Sequence, residues 1–205
     1  MLEALKLECV RGERRLFSGV SFSLGAGEAL QVFGPNGSGK SSLLRIVAGL
    51  LPPAAGEVRW RRAEIRSQAE DYRREMLYLG HLNGIKDELT ALENLRVLAR
   101  LSGVAATRSA ATDALARLGL GGREDLPAKV LSQGQKRRLA LSRLLLAGAC
   151  LWILDEPLNS LDREAAAEIE AVLAAHLSRG GITLIATHQA IELHGAVSKR
   201  LNLPQ

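Results

Sequence analysis

Residues Gly34-Pro35-Asn36-Gly37-Ser38-Gly39-Lys40-Ser41 satisfy the pattern G-x-x-x-x-G-K-[ST] at every fixed position. No other stretch of the chain restricts its fold so strongly. Such a loop works only when a strand leads into it and a helix leaves it. Backbone N–H groups then converge on phosphate oxygens, and the helix N-terminus adds positive potential. Both flanks are present. Ala29 to Phe33 is a short apolar run, and Ser42 to Leu50 has helical spacing up to Pro52-Pro53, which cannot continue a helix. The fixed positions each have a chemical reason. Glycines let the backbone turn toward phosphate, Lys40 reaches the β- and γ-phosphates, and the Ser41 hydroxyl ligates Mg²⁺. Pro35, Asn36, Ser38 and Ser42 complete the expected nucleotide contacts.

A second half of a phosphate-chemistry site follows more than a hundred residues later. Leu151-Trp152-Ile153-Leu154 is an apolar strand that ends in Asp155-Glu156. Buried acids are costly unless they have partners or chemistry to perform. Asp155 at the strand tip can orient Mg²⁺ through water, and Glu156 is then placed to polarise an attacking water as general base. By itself an apolar run ending in Asp-Glu reads as a strand entering a loop; the preceding phosphate loop gives it meaning.

The chain has 205 residues, 47% hydrophobic and 24% charged, which excludes a disordered polymer and suits one domain with a lobed subdomain. Aromatics are 3% against 38 Leu and 29 Ala, so the core is expected to be aliphatic and helix-rich. The net charge of +5 permits an anionic partner, but basic residues spread this evenly read as a solvated surface. Cys9 and Cys150 both lie in apolar stretches and are expected to be buried free thiols, with neither a disulfide framework nor a zinc site. The longest apolar run, Leu144 to Leu154, is too short for a membrane-spanning helix. The N-terminus alternates apolar and charged residues, unlike a signal peptide, so a cytoplasmic chain is expected unless a partner holds it at a membrane.

Along the chain, Leu5, Leu7 and Cys9 alternate with Lys6 and Glu8, and Val20, Phe22 and Leu24 alternate with Ser21 and Ser23. This period of two predicts half-buried strands, separated by glycine-marked turns. Glu57 to Trp60, Met76 to Leu79, Leu151 to Leu154 and Ile182 to Ala186 read as further strands. From Ala91 to Gly148 the pattern is helical. One face carries Leu92, Leu95, Leu98 and Leu101, another Ala111, Leu115 and Leu118, and a third helix opens at Leu131-Ser132. Arg163 to Ser178 is an Ala-rich helix. The expected architecture is α/β with a β-rich N-terminal part: a single domain over residues 1–205, with a helical subdomain at about 84–148.

Leu131-Ser132-Gln133-Gly134-Gln135, together with the phosphate loop and the acid pair, resembles the signature of the ATP-binding cassette (ABC) ATPases, usually Leu-Ser-Gly-Gly-Gln. The resemblance covers nearly the whole chain and implies the P-loop NTPase fold of that family, with a helical signature subdomain. Ser160-Leu161-Asp162 is similar to its D-loop, and His188, after Ile182 to Thr187, to its switch histidine. Lys40, Glu156 and His188 are then the catalytic candidates. Ser132 and Gly134 at a helix start would offer a hydroxyl and N–H groups to a γ-phosphate. In this family that ATP is bound on the other subunit, so the resemblance implies a homodimer with ATP at its interface.

The chain departs from the family pattern at three places. Gln133 replaces a glycine of the signature. His81 stands where the family has a glutamine that touches Mg²⁺, and imidazole can accept only while neutral. Arg11 replaces the aromatic that stacks on adenine, a role a guanidinium plane can also fill. Leu16-Phe17-Ser18-Gly19-Val20-Ser21-Phe22, Gly80-His81 with Gly84-Ile85-Lys86, Leu89 to Leu95, and Leu151 to Pro157 are similar to the ATP-binding subunits of cytochrome c maturation (haem exporter) systems. That likeness implies a peripheral subunit on the cytoplasmic face of a bacterial inner membrane, driving an integral membrane transporter partner with ATP and Mg²⁺. Haem itself leaves no mark: there is no C-x-x-C-H, and His81, His176, His188 and His194 offer no axial pair. An ATPase for another exporter is the alternative within the family. A nucleic-acid-directed cassette is opposed by the lack of a coiled-coil insertion or second cassette, so no nucleic acid is expected. A P-loop kinase would lack Ser132 to Gln135.

Overall fold

In the computed structural model, which describes residues 1–204, every strand marked by alternation or by an apolar run forms and joins one of two sheets. The first sheet is antiparallel and ordered β2 (Arg14–Leu24), β1 (Leu2–Arg11), β4 (Ala55–Trp60), β5 (Ala63–Glu64). The second is parallel and ordered β6 (Met76–Leu79), β7 (Leu151–Asp155), β8 (Ile182–Ala186), β3 (Glu28–Phe33), β9 (Val197–Asn202). The two sheets differ in sequence grammar for a physical reason. Central parallel strands are covered on both faces, so β7 and β8 are buried at every residue, whereas antiparallel strands keep one wet face and alternate.

The alternation in β1 holds only in part. Leu2 and Ala4 are buried, then Leu7 and Cys9, so the inward phase slips between them and Leu5 is only half-buried. A register shift against β2 falls there, and Lys6 adopts φ +48. One extra residue in a strand shifts every later side chain to the other face, which is why strict alternation misplaced Leu5.

The chain divides into two compact units. Residues 1–80, 149–157 and 173–205 form the first, which holds both sheets and α1 (Lys40–Val47), α2 (Ala69–Glu75) and the end of α7 (Arg163–Ser178). Its core is aliphatic, built from residues such as Leu30, Val32, Leu43, Leu44, Ile153 and Leu184.

Residues 81–148 and 158–172 form the second unit, with α3 (Ala91–Leu101), α4 (Arg108–Arg117), a 3₁₀ turn at Ala128–Val130, α5 (Gln133–Leu141), α6 (Arg143–Leu146) and the start of α7. Leu92, Leu95, Ala111, Leu115 and Leu139 pack in its core. Leu101 does not share the inward face of α3 and is 80% exposed. Steps of three residues lag the helical repeat by about 60° each, so nine residues after Leu92 the side chain points to the opposite side. Buried Asn94 fixes the segment before α3: its Oδ1 accepts from Lys86 N at 2.8 Å, and its Nδ2 donates to the carbonyls of Lys86, Leu89 and Thr90.

Cys9 is buried and unpaired in a disulfide, as expected, but Cys150 is exposed. It lies just before β7, outside the sheet that buries the apolar residues after it. No helix among the described residues is long and apolar enough to cross a membrane.

Candidate functional site

Three neighbouring strands end level with one another. Val32 of β3 and Asp155 of β7 both lie opposite Ala186 of β8. Beyond that row, Thr187 N donates to Val32 O at 3.1 Å and Glu156 N donates to Ala186 O at 2.9 Å. The phosphate loop, His188 and the acid pair therefore leave the parallel sheet together at its carboxyl edge, where open α/β sheets bind their ligands.

The loop from Gly34 to Ser41 closes on itself before α1. Ser38 N donates to Pro35 O at 3.2 Å, while Pro35, Asn36 and Gly37 stay exposed and Ser38, Gly39 and Lys40 are buried. Gly39 caps α1 in a left-handed conformation (φ +99), and a Cβ there would lie 3.0 Å from Phe17 Cδ1 and 3.1 Å from Leu16 Cβ. Glycine is thus required for both backbone and space. No side chain caps the α1 N-terminus and no acid sits in its first turn. Lys40 Nζ arches back to donate to Gly34 O at 2.7 Å and Pro35 O at 3.2 Å, which concentrates positive charge inside the loop. Ser38 Oγ is buried there without a hydrogen-bond partner. The buried Lys40 ammonium, the Ser38 hydroxyl and the uncapped α1 N-terminus together suit phosphate oxygens. Ser41 and Ser42 are half-buried on the first turn, and Ser42 hydrogen-bonds the Cys9 thiol, whose pKa burial pushes up.

Asp155 is 1% exposed at the end of β7. Its charge is felt by Tyr78 of β6: burial raises the phenol pKa, Arg45 of α1 pulls it back by a hydrogen bond, and Asp155 adds to the rise. Glu156 follows in a left-handed conformation, φ +49, uncommon for a residue with a Cβ. That turn brings its Oε1 to 2.9 Å from His188 Nε2. The loop carrying His188 is fastened on both sides. Thr187 Oγ1 donates to Gln189 O at 2.6 Å, and the buried Gln31 amide exchanges hydrogen bonds with the Ile191 backbone at 2.9 Å each.

The second unit holds the segment Ser132–Gln135 and His81. Ser132 is the N-cap of α5, and with Gln135 it forms a reciprocal capping box: Gln135 N donates to Ser132 Oγ and Ser132 N donates to Gln135 Oε1. The Ser132 hydroxyl accepts in this arrangement, so its proton remains free to donate outward. Gln133 is exposed on the first turn, and His81 is exposed at the start of the unit. Arg11 is exposed at the end of β1, opposite Arg14.

Residues 17–159, which include the phosphate loop, the signature segment and the acid pair, match the ABC transporter family. The chain belongs to that family. It is 55% identical over 202 residues to a cytochrome c biogenesis ATP-binding export protein, CcmA, of Nitrosospira multiformis, covering 98% of each chain. It is 52% identical over 203 residues to the protein of the same description in Dechloromonas aromatica, covering 99% of this chain and 100% of that one. A structure from Pyrococcus furiosus, described as an ABC transporter ATP-binding protein, superposes with a TM-score of 0.84 at 24% identity, covering 98% of this chain and 96% of that one. The α/β fold with its parallel sheet is therefore that of an ABC ATPase cassette.

Within this ABC cassette the structure joins Glu156 to His188 and gathers residues 34–42 into one cradle. It places Arg11 and His81 at exposed positions without contacts that assign them a role. Two supports escaped the sequence reading. Gln31 left a readable signal, one polar residue inside an apolar strand. The Ser132–Gln135 box was also visible as S-x-x-Q at the start of a helical segment.

Proposed function

We propose that this chain is the ATP-hydrolysing subunit of an ABC exporter for cytochrome c biogenesis, supplying energy for haem export or handover through an integral membrane partner. The whole chain, residues 1–205, serves as one nucleotide-binding domain with a helical signature subdomain. It works as a peripheral protein on the cytoplasmic face of the bacterial inner membrane, as a homodimer with ATP between the subunits. The observation that carries the hydrolytic part of the reading is the 2.9 Å contact between Glu156 and His188, set level with the phosphate loop at one sheet edge, and the likeness to the cytochrome c biogenesis export proteins supports the rest.

In this reading residues 34–42 bind the triphosphate by backbone N–H groups, with Lys40 on the β- and γ-phosphates. Arg11 stacks on adenine. Ser41 and Asp155 would hold a Mg²⁺, which would neutralise charge on the phosphates, and His81 is the residue that stands where the family has a metal-touching glutamine. Glu156 accepts a proton from the attacking water, and His188 orients the Glu156 carboxylate. Ser132, Gln133, Gly134 and Gln135 of one subunit close over the ATP of the other. The outward proton of Ser132 and the α5 N-terminus both favour an anion there.

The test is a cell in which the gene is replaced by a Lys40→Ala form. Loss of mature c-type cytochromes, with an integral membrane protein co-purifying with the wild-type chain from detergent-solubilised membranes, supports the reading. Normal cytochrome c maturation in that cell contradicts it.

A further inference from the structure

The hairpin that joins β1 to β2 abuts the phosphate loop. A Cβ on Gly39 would lie 3.0 Å from Phe17 Cδ1 and 3.1 Å from Leu16 Cβ, so the start of β2 rests on the loop itself. Cys9 of β1 lies opposite Phe17 and is buried. Burial raises the Cys9 pKa, while a hydrogen bond with Ser42 of α1 and the charge of Arg11 both lower it. The two strands therefore meet the loop at Phe17 and Cys9, and both run on past it. Arg11 stands two residues beyond Cys9, about 7 Å further along at ~3.3 Å per residue. The space beside the turn is open, since a Cβ on Gly12 would meet no atom within 4 Å.

The arginines of this hairpin divide between its two faces. Side chains two residues apart in a strand share a face, so Arg11 shares that of Cys9. Arg14 is the cross-strand partner of Arg11 and lies on the same face. Arg15, opposite Val10, is on the other face and pairs with Glu8 at 2.7 Å. The register shift between the Cys9–Phe17 and Val10–Arg15 pairs puts the extra residue, Leu16, in β2 and leaves the alternation of β1 intact there. Arg11 and Arg14 are exposed, and neither side chain makes an ion pair or hydrogen bond among the described residues. Glu13 of the intervening turn pairs with neither. Like charges directly opposite destabilise a strand pair, so these two contribute nothing to holding the hairpin together.

The γ-phosphate end of a bound nucleotide belongs with Glu156 and His188, which leaves the hairpin side of the loop to the sugar and base. A guanidinium has five N–H donors and no acceptor. The adenine edge sets an acceptor, N7, beside a donor, the 6-amino group. Guanine presents two acceptors, N7 and O6, the pattern that an arginine fork takes bidentately. Two unpaired arginines thus offer nothing that requires the amino group of adenine.

We propose that Arg14 sets the base preference of the nucleotide site: its fork donates to the acceptors of a purine edge while Arg11 covers the base plane, so that the chain takes guanine nucleotides as readily as ATP. The proposal rests on the functional reading above, which puts a nucleoside triphosphate on residues 34–42, and adds a base selectivity that the phosphate contacts do not determine.

The test is calorimetric titration of the full-length chain with ATP and with GTP, without Mg²⁺ so that neither is hydrolysed. The wild type should bind GTP with a Kd no more than about threefold above that for ATP. Arg14→Gln removes the fork and supplies an amide, which pairs with N6 and N7 of adenine, so the ratio of GTP Kd to ATP Kd should rise at least about fivefold. Arg15→Gln, on the other face, should leave that ratio unchanged. A wild type that binds GTP more weakly than this limit overturns the proposal, and so does a smaller rise in the Arg14→Gln ratio. Equal losses for both nucleotides would be such a case, with the charge acting on the phosphates alone. An Arg15→Gln chain that shifts the ratio as far as Arg14→Gln overturns it too. A wild-type chain that binds neither nucleotide overturns the functional reading together with this proposal, whereas ATP binding with GTP excluded removes the base preference alone.

Discussion

His188 Nε2 lies 2.9 Å from Glu156 Oε1, and each residue reaches that point from the end of its own buried strand. The contact depends on two unusual supports, the left-handed turn at Glu156 and the Gln31 amide that pins the Ile191 backbone behind His188. A carboxylate oriented by an imidazole is poised to take a proton from water in one fixed direction. Replacing His188 by Ala should therefore lower kcat about 10- to 100-fold, within the usual range for a group that orients a general base. ATP affinity should be unchanged, because His188 touches the acid and not the phosphate loop. Parallel losses in turnover and in ATP affinity, measured by steady-state kinetics and calorimetry, would show that His188 does something else.

Lys40 should have the opposite profile. Lys40 is 6% exposed and its ammonium bonds the carbonyls of Gly34 and Pro35, so it can turn to phosphate oxygens at little cost. Lys40→Ala removes charge-assisted hydrogen bonds, each contributing about 1.5–3 kcal/mol, so ATP affinity should fall at least about tenfold. Calorimetric binding isotherms identical to wild type would remove residues 34–42 from the nucleotide site.

His176 gives a stability prediction away from the site. Its ring stacks on Trp152 with centroids 3.7 Å apart, and burial holds its pKa down at about 4, with the Ile182 carbonyl pulling upward and Arg179 pushing further down. The unfolded chain takes up this proton near pH 6.5 and the native chain only near pH 4, so the unfolded state binds more protons in between. Stability is then full above about pH 6.5 and falls as pH drops toward 4, by about 2 kcal/mol on reaching pH 5. His176→Phe keeps a ring over Trp152 and cannot titrate. Urea unfolding at pH 7.5 and 5.0 should show a smaller loss in the variant by that amount; equal losses would assign the acid sensitivity to other groups.

Assembly offers an independent check. With Glu156→Gln to slow hydrolysis, ATP should raise the mass seen by light scattering from the 22.0 kDa monomer toward twice that value. Adding Ser132→Arg, which places bulk and charge at the α5 N-terminus, should abolish the increase. A mass that ignores ATP at all protein concentrations would contradict the shared site.

The legible parts of this molecule are those fixed by local chemistry. Residues 34–41 stood out as a candidate phosphate loop because such a loop demands glycine, lysine and serine at set positions. The strands β7 and β8 could be read because burial on both faces leaves only apolar residues. β9 escaped notice for the opposite reason: as an edge strand it carries exposed Val197, Ser198 and Arg200 on Phe33-containing β3 and has no apolar run. The slip in β1 depends on Lys6 taking a positive φ, which nothing in an alternating pattern announces. The site was legible as a set of residues and not as a geometry. Asp155-Glu156 and His188 were each identified, but their meeting requires the register of β7, β8 and β3, a long-range property. Cys150 shows the same limit, since an apolar neighbourhood in sequence placed it inside while the strand begins one residue later.

The most direct measurement is ATP turnover by the purified chain and by Glu156→Gln at saturating Mg-ATP, with ATP affinity measured alongside. If Glu156 is the general base of an ABC ATPase, the wild type hydrolyses ATP, and the variant binds it as tightly but turns it over about 10²- to 10⁴-fold more slowly. A variant that hydrolyses ATP at the wild-type rate, or a wild-type chain that binds no ATP, would contradict this.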